Sequence, residues 1–128
     1  MLYRNKGKFS IIARIRSTNH AWRGVGILIK TTHNLWFHIF FALAVITLGF
    51  LLDVSQTEWL FIVFTVGLVI IAEAFNTAIE IDIDLTSPGY HPYARDTKDI
   101  AAGAVLLSVM FACIVGMIIF LPKILALL

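Results

Sequence analysis

Charge is scarce in this chain. Only 14% of its 128 residues are charged, against 59% hydrophobic and a mean hydropathy of +0.89, a balance that excludes a water-soluble domain of this size and points to an integral membrane protein. Cysteine is nearly absent. A lone Cys113 rules out a disulfide within one chain, and with no basic neighbour at helical spacing to favour its thiolate it reads as a small packing residue, not a nucleophile or metal ligand. There is no P-loop and no glycine-rich phosphate loop, which sets aside the soluble nucleotide-binding mechanisms. The first 33 residues lack an apolar core followed by a small-residue cleavage site, so no signal peptide is expected.

What is present is a set of long apolar runs. Residues 34–53, 58–84 and 97–121 are each expected to form a helix able to cross about 30 Å of hydrocarbon. Ahead of them, residues 9–30 place Ile11, Ile15, Trp22, Val25 and Ile29 at spacings of three and four, while Arg16, Arg23 and Lys30 recur every seventh residue on another face. This pattern predicts an amphipathic helix lying on the membrane surface, with Gly24 and Gly26 as the place where it bends toward the first span. The expected architecture is all-α: one surface helix and three spans in a single domain.

Basic residues set the orientation. Arg4, Lys6, Lys8, Arg14, Arg16, Arg23 and Lys30 precede the first span, Arg95 and Lys98 fall between the second and third, and the link from Asp53 to Glu58 has none. The N-terminus and the second link are therefore expected in the cytoplasm. Ser55 or Thr57 can cap the second span, with Glu58 at its positive end. Trp36 and His38, in the opening turns of the first span, read as interfacial residues.

Within the second span the apolar run abruptly acquires Glu73, Asn76, Thr77 and Glu80, followed by Asp84. At helical pitch these fall within about 60° of one direction, with the two glutamates about 10 Å apart along the axis. Carboxylates in hydrocarbon cost several kcal/mol unless partnered, so such a stripe marks function by default. Asp82 falls on the opposite side. The link at residues 85–96 contains Pro88-Gly89 and Pro92, which end one helix and precede the next, and Gly89 permits close backbone approach to a ligand. Asp96 and Asp99 form a potential capping pair for the third span, and Lys98 at its mouth is either a boundary charge or a phosphate ligand.

The segments Glu73-Ala-Phe-Asn-Thr-Ala-Ile-Glu80, Tyr90-His91 and Lys98-Asp99-Ile-Ala-Ala-Gly-Ala-Val105 resemble the prokaryotic diacylglycerol kinase family over nearly the whole chain. Ser87-Pro-Gly-Tyr-His-Pro92, with His33-Asn34, looks most like its undecaprenol kinase branch. The resemblance implies a homotrimer with active sites shared between protomers in the bacterial cytoplasmic membrane, ATP with magnesium as phosphoryl donor, and a lipid alcohol as acceptor. It also implies roles by position: Glu73 as catalytic base with Asn76 beside it, Glu80 as a magnesium ligand, and His20, Gly89, Tyr90, His91, Lys98 and Asp99 as nucleotide contacts. The chain departs from the pattern at two places. Thr32 stands where the family carries a second metal-binding glutamate, and a nucleotide-binding arginine falls near Ala13, with Arg14 and Arg16 close by.

An ATP-dependent lipid kinase accounts for the stripe, the loop and the Lys98-Asp99 element together. A catalytically silent or regulatory membrane protein of the same fold would account for Thr32. A small ion or proton carrier would explain Glu73 and Glu80 but not Tyr90-His91 or Lys98-Asp99.

Overall fold

A computed structural model describes residues 9–128; Arg4, Lys6 and Lys8 of the basic N-terminus lie outside the described residues. The described chain contains four helices: α1 (Ile11–Thr31), α2 (His33–Leu51), α3 (Gln56–Thr86) and α4 (Pro92–Leu125). The last three are long and apolar enough to cross a membrane, so the expected surface helix plus three spans is the observed fold class.

Helix α1 begins at Ser10, whose hydroxyl accepts from the Ala13 N–H at 3.4 Å. None of its residues is buried; Ile11, Ile15, Trp22, Val25 and Ile29 all lie exposed, as they must on a helix whose apolar face meets lipid. Gly24 and Gly26 do not interrupt the helix. The helix runs through both glycines and stops at Thr32, a single extended residue (φ −105°, ψ 100°) that redirects the chain into α2. Across this joint the Trp36 indole N–H donates to the Ile29 carbonyl at 3.3 Å.

The link between α2 and α3 is tight. Asp53 adopts a left-handed backbone (φ 50°), a conformation that Asp tolerates better than most side chains. Ser55 and Glu58 then form a reciprocal capping box, with N–H···O distances of 3.2 and 2.8 Å. Glu58 also takes the Lys123 ammonium at 3.1 Å, joining the start of α3 to the end of α4. Beneath this clasp Val54, Ile62, Ile119 and Phe120 form the main apolar core. Gly49 belongs to the same contact: a Cβ there would meet the Trp59 ring at 2.7 Å, so any larger residue would make the indole shift as α2 and α3 close up.

Helix α3 packs chiefly on α4 and less on α2. Large apolar side chains such as Phe41, Phe64 and Phe111 stay exposed along all three spans, surface suited to lipid or to other subunits. Two differences from expectation matter for the site. Helix α4 starts at Pro92, five residues before the expected position 97, and its N-cap is His91, not an Asp96–Asp99 pair. Both aspartates lie inside the helix, exposed. The link to α4 is thus only residues 87–91, shorter than the expected 85–96.

Candidate functional site

Polar side chains buried in the spans fall into two kinds. Thr65 and Ser108 return their hydroxyls to carbonyls of their own helix, at 3.0 Å to Phe61 and 2.7 Å to Val105. Such residues cost the span little and need no partner. Glu73, Asn76 and Thr77 are different: they are buried on one side of α3 and turn toward the α1–α2 joint. Together with Thr31, Thr32, His33, Asn34, Glu80, Ile81 and Asp84 they line an open cleft of about 320 Å³. The whole expected stripe, Glu73, Asn76, Thr77, Glu80 and Asp84, faces this one space.

Within the cleft, Thr32 and Thr77 share a hydrogen bond between their hydroxyls at 2.9 Å, pinning the joint to α3. The Asn76 amide donates to a Glu80 carboxylate oxygen at 3.3 Å, while Asn76 Oδ1 is buried with no hydrogen-bond partner. An acceptor left bare at that depth is costly, typically about 1–3 kcal/mol. A hard cation is one group that would satisfy it. Magnesium takes oxygen ligands, commonly one or two carboxylates together with phosphate oxygens and water, so Glu80 and the Asn76 amide oxygen suit it. Among the described residues no three His, Cys, Asp or Glu side chains gather closely enough to enclose a metal by themselves; the protein's share of any magnesium site here is partial.

Glu73 is the least exposed side chain of the group, at 2%. An imidazole from another helix lies beside it: His38 Nε2 on α2 is 3.6 Å from Glu73 Oε2. The reading of His38 as an interfacial residue is therefore corrected, since the imidazole points inward at the buried acid with its side chain only 16% exposed. A span-end histidine at a water boundary and one facing a neighbouring helix look alike in sequence.

The other expected contacts do not join the cleft within one chain. His20, Gly89, Tyr90, His91 and Asp99 are all exposed, and none lines the cavity. His91 is occupied locally, its Nδ1 accepting from the Tyr93 N–H at 3.2 Å, which leaves Nε2 as the protonated nitrogen of the neutral ring. Lys98 reaches the rim indirectly: its ammonium pairs at 2.9 Å with Asp84, itself part of the cleft wall.

Comparison with known proteins identifies the family. The chain is 43% identical over 108 residues to the undecaprenol kinase of Bacillus subtilis, covering 84% of this chain and 88% of that one. It is 42% identical over 112 residues to a diacylglycerol kinase of Synechocystis, covering 87% of this chain and 64% of that longer protein. A diacylglycerol kinase of Helicobacter pylori is 32% identical over 73 residues, 57% of each. The profile of the prokaryotic diacylglycerol kinases matches residues 19–120, an interval that holds the α1–α2 joint, the polar stripe and the His91 cap alike, and the chain accordingly belongs to the prokaryotic diacylglycerol kinase family and is a membrane-bound lipid kinase.

Proposed function

We propose that this enzyme transfers the γ-phosphoryl group of ATP to the hydroxyl of a membrane lipid alcohol, undecaprenol or diacylglycerol, at the cytoplasmic face of the membrane. One observation supports this above the others: a single rigid helix carries two carboxylates at two depths. Taking Glu58 at the start of α3 as one membrane boundary, Glu73 lies about 22 Å and Glu80 about 33 Å along the axis, against a hydrocarbon thickness of about 30 Å. Glu73 is then below the surface, where a lipid hydroxyl can reach it with its chain still in the bilayer. Glu80 is at headgroup level, open to a water-soluble nucleotide.

The chemistry divides accordingly. Glu73 accepts the proton of the lipid hydroxyl while the oxygen forms its bond to the γ-phosphorus; the bond from phosphorus to the β–γ bridging oxygen breaks, and its electron pair leaves with ADP. Asn76 holds Glu80 through its amide N–H, and these two side chains are the oxygen donors for magnesium. When bound, the ion neutralises phosphate charge and orients the nucleotide. Lys98, parked on Asp84, is close enough to the rim to exchange that carboxylate for a phosphate.

The exposed positions of His20, Gly89, Tyr90, His91 and Asp99 fit a nucleotide site completed by a neighbouring subunit. A half-site with two carboxylates and broad apolar flanks calls for such a neighbour, and we take the assembly to be a homotrimer. The detergent-corrected mass of the purified protein is expected at three times the chain's 14.3 kDa; a monomer of full activity contradicts shared sites.

Thr32 bears on metal use. A carboxylate at this position would add a ligand to the cleft, so Thr32→Glu is expected to lower the magnesium concentration for half-maximal rate about tenfold, the scale of a charge-assisted contact. It also breaks the Thr32–Thr77 bond and adds a carboxylate beside Glu73 and Glu80. In EDTA the variant should therefore melt below the parent, and magnesium should restore it. In a Glu80→Gln background the gain should vanish; a magnesium curve indifferent to Thr32→Glu places residue 32 outside the metal's reach.

The function itself is tested by incubating the purified protein in lipid micelles with γ-labelled ATP, magnesium and either undecaprenol or a diacylglycerol. Label is expected in the lipid phase for at least one acceptor. ATP consumption without labelled lipid, or no transfer to either, points to the silent or regulatory alternative.

A further inference from the structure

A carboxylate as buried as Glu73 needs a partner, and its own helix supplies none. On α3 the Asn76 amide is committed to Glu80, and Thr77 to Thr32 on the facing joint. Among the described residues the one cationic or imidazole group within 4 Å of Glu73 is His38.

His38 occupies a second position of interest. It lies in the wall of an apolar groove of about 370 Å³ between α2, α3 and α4, with Phe41, Val69 and Cys113 among its neighbours there. His38 therefore borders a space suited to hydrocarbon while its Nε2 lies 3.6 Å from Glu73, a residue of the polar cleft. A ring placed to serve as an interfacial anchor would point at headgroups. This one turns its Nε2 to the buried acid while the residue borders the groove.

We propose that His38 is the positioning residue for Glu73: its Nε2–H holds the carboxylate so that one oxygen stays directed at the lipid hydroxyl in the cleft. The proposal rests on Glu73 being the base, as put forward above. It follows the general arrangement in which a catalytic group is oriented by a second side chain that never touches substrate. At 3.6 Å the contact is longer than a direct hydrogen bond. Contacts of this kind tighten once substrate excludes water from the site. Without the imidazole, Glu73 would keep no cationic or imidazole partner among the described residues and would be free to rotate within the cleft, poorly placed to take a proton. The loss should fall on turnover and leave substrate binding alone.

The test uses the full-length protein in lipid micelles with ATP, magnesium and whichever acceptor the wild type phosphorylates. His38→Leu, close in volume but without a donor, should lower kcat about 10- to 100-fold, with KM for nucleotide and lipid within twofold of wild type. His38→Gln, whose side-chain N–H reaches the place of Nε2, should remain within about fivefold of wild type. His38→Asn, one bond shorter, should fall about as far as His38→Leu. In a Glu73→Gln background, His38→Leu should change the residual rate less than twofold, because nothing is left to position.

His38→Leu with wild-type kcat, or His38→Gln and His38→Asn with equal rates, overturns the proposal. So does a loss in the Glu73→Gln background as large as in the wild type. If His38→Leu does not fold, the Gln against Asn comparison decides by itself. A Glu73→Gln enzyme with undiminished turnover overturns the base assignment and this proposal together, whereas an inactive Glu73→Gln beside a fully active His38→Leu overturns this proposal alone.

Discussion

Glu73→Gln is expected to lose about a thousandfold in kcat, within the range that removal of a general base produces, while binding a non-hydrolysable ATP analogue within twofold of wild type. The two measurements should diverge because Glu73 is buried beside His38, about two helical turns along α3 from Glu80. Stability should move the opposite way from activity. A carboxamide has the shape of the carboxylate without the cost of burying its charge, so the variant should melt at or above the wild-type temperature. Calorimetric titration with the analogue and a thermal melt on one preparation check both halves. Nucleotide affinity lost in step with turnover would mean that Glu73 holds the nucleotide and is not the base.

Glu80→Gln should fail differently. The Asn76 N–H keeps an acceptor, since the glutamine carbonyl replaces the carboxylate oxygen it now bonds at 3.3 Å, and the fold should persist. What disappears is the negative charge beside the bare Asn76 oxygen. The magnesium concentration for half-maximal rate and the KM for nucleotide should both rise about 10- to 100-fold, the scale of a lost contact between charged groups. At saturating metal kcat should recover to within a few-fold. A magnesium titration at fixed nucleotide suffices, and an unchanged curve removes Glu80 from the metal site.

How much of this was legible beforehand differs by residue. The stripe was legible because hydrocarbon makes every polar residue conspicuous and helical pitch says which ones share a face; Glu73, Asn76, Thr77, Glu80 and Asp84 indeed line one cleft. The cap of α3 was legible in part: the sequence offered Ser55 or Thr57 with Glu58 nearby, and the structure uses Ser55 and adds the reciprocal bond from Glu58. Relations between helices were not. Whether His38 faced water or Glu73 depends on the rotation of α2 against α3, which no spacing within α2 records. The bend expected at Gly24 and Gly26 rested on helix propensity, yet the chain turns at Thr32, where a hydroxyl finds Thr77 across the joint. The start of α4 was placed too late because Asp96 looked like a cap, whereas His91 caps with a ring nitrogen. Of the nucleotide contacts implied by family resemblance, His20, Gly89, Tyr90, His91 and Asp99 are exposed and outside the cleft, as expected if a second protomer completes the site.

The clasp that ties Ser55, Glu58 and Lys123 at the far end of the bundle has a meaning for the chemistry at the near end. It fixes where α3 starts, and a helix without internal breaks transmits that origin unchanged to Glu73. On the membrane placement proposed above, the reaction is carried out at a set distance from the opposite leaflet, as though measured with a ruler. Bilayer thickness then enters the rate directly: in short-chain lipids Glu73 rides toward the headgroups, and in long-chain lipids it sinks away from them. On that placement an acceptor must bring its hydroxyl to the depth of Glu73, whatever groups surround that hydroxyl.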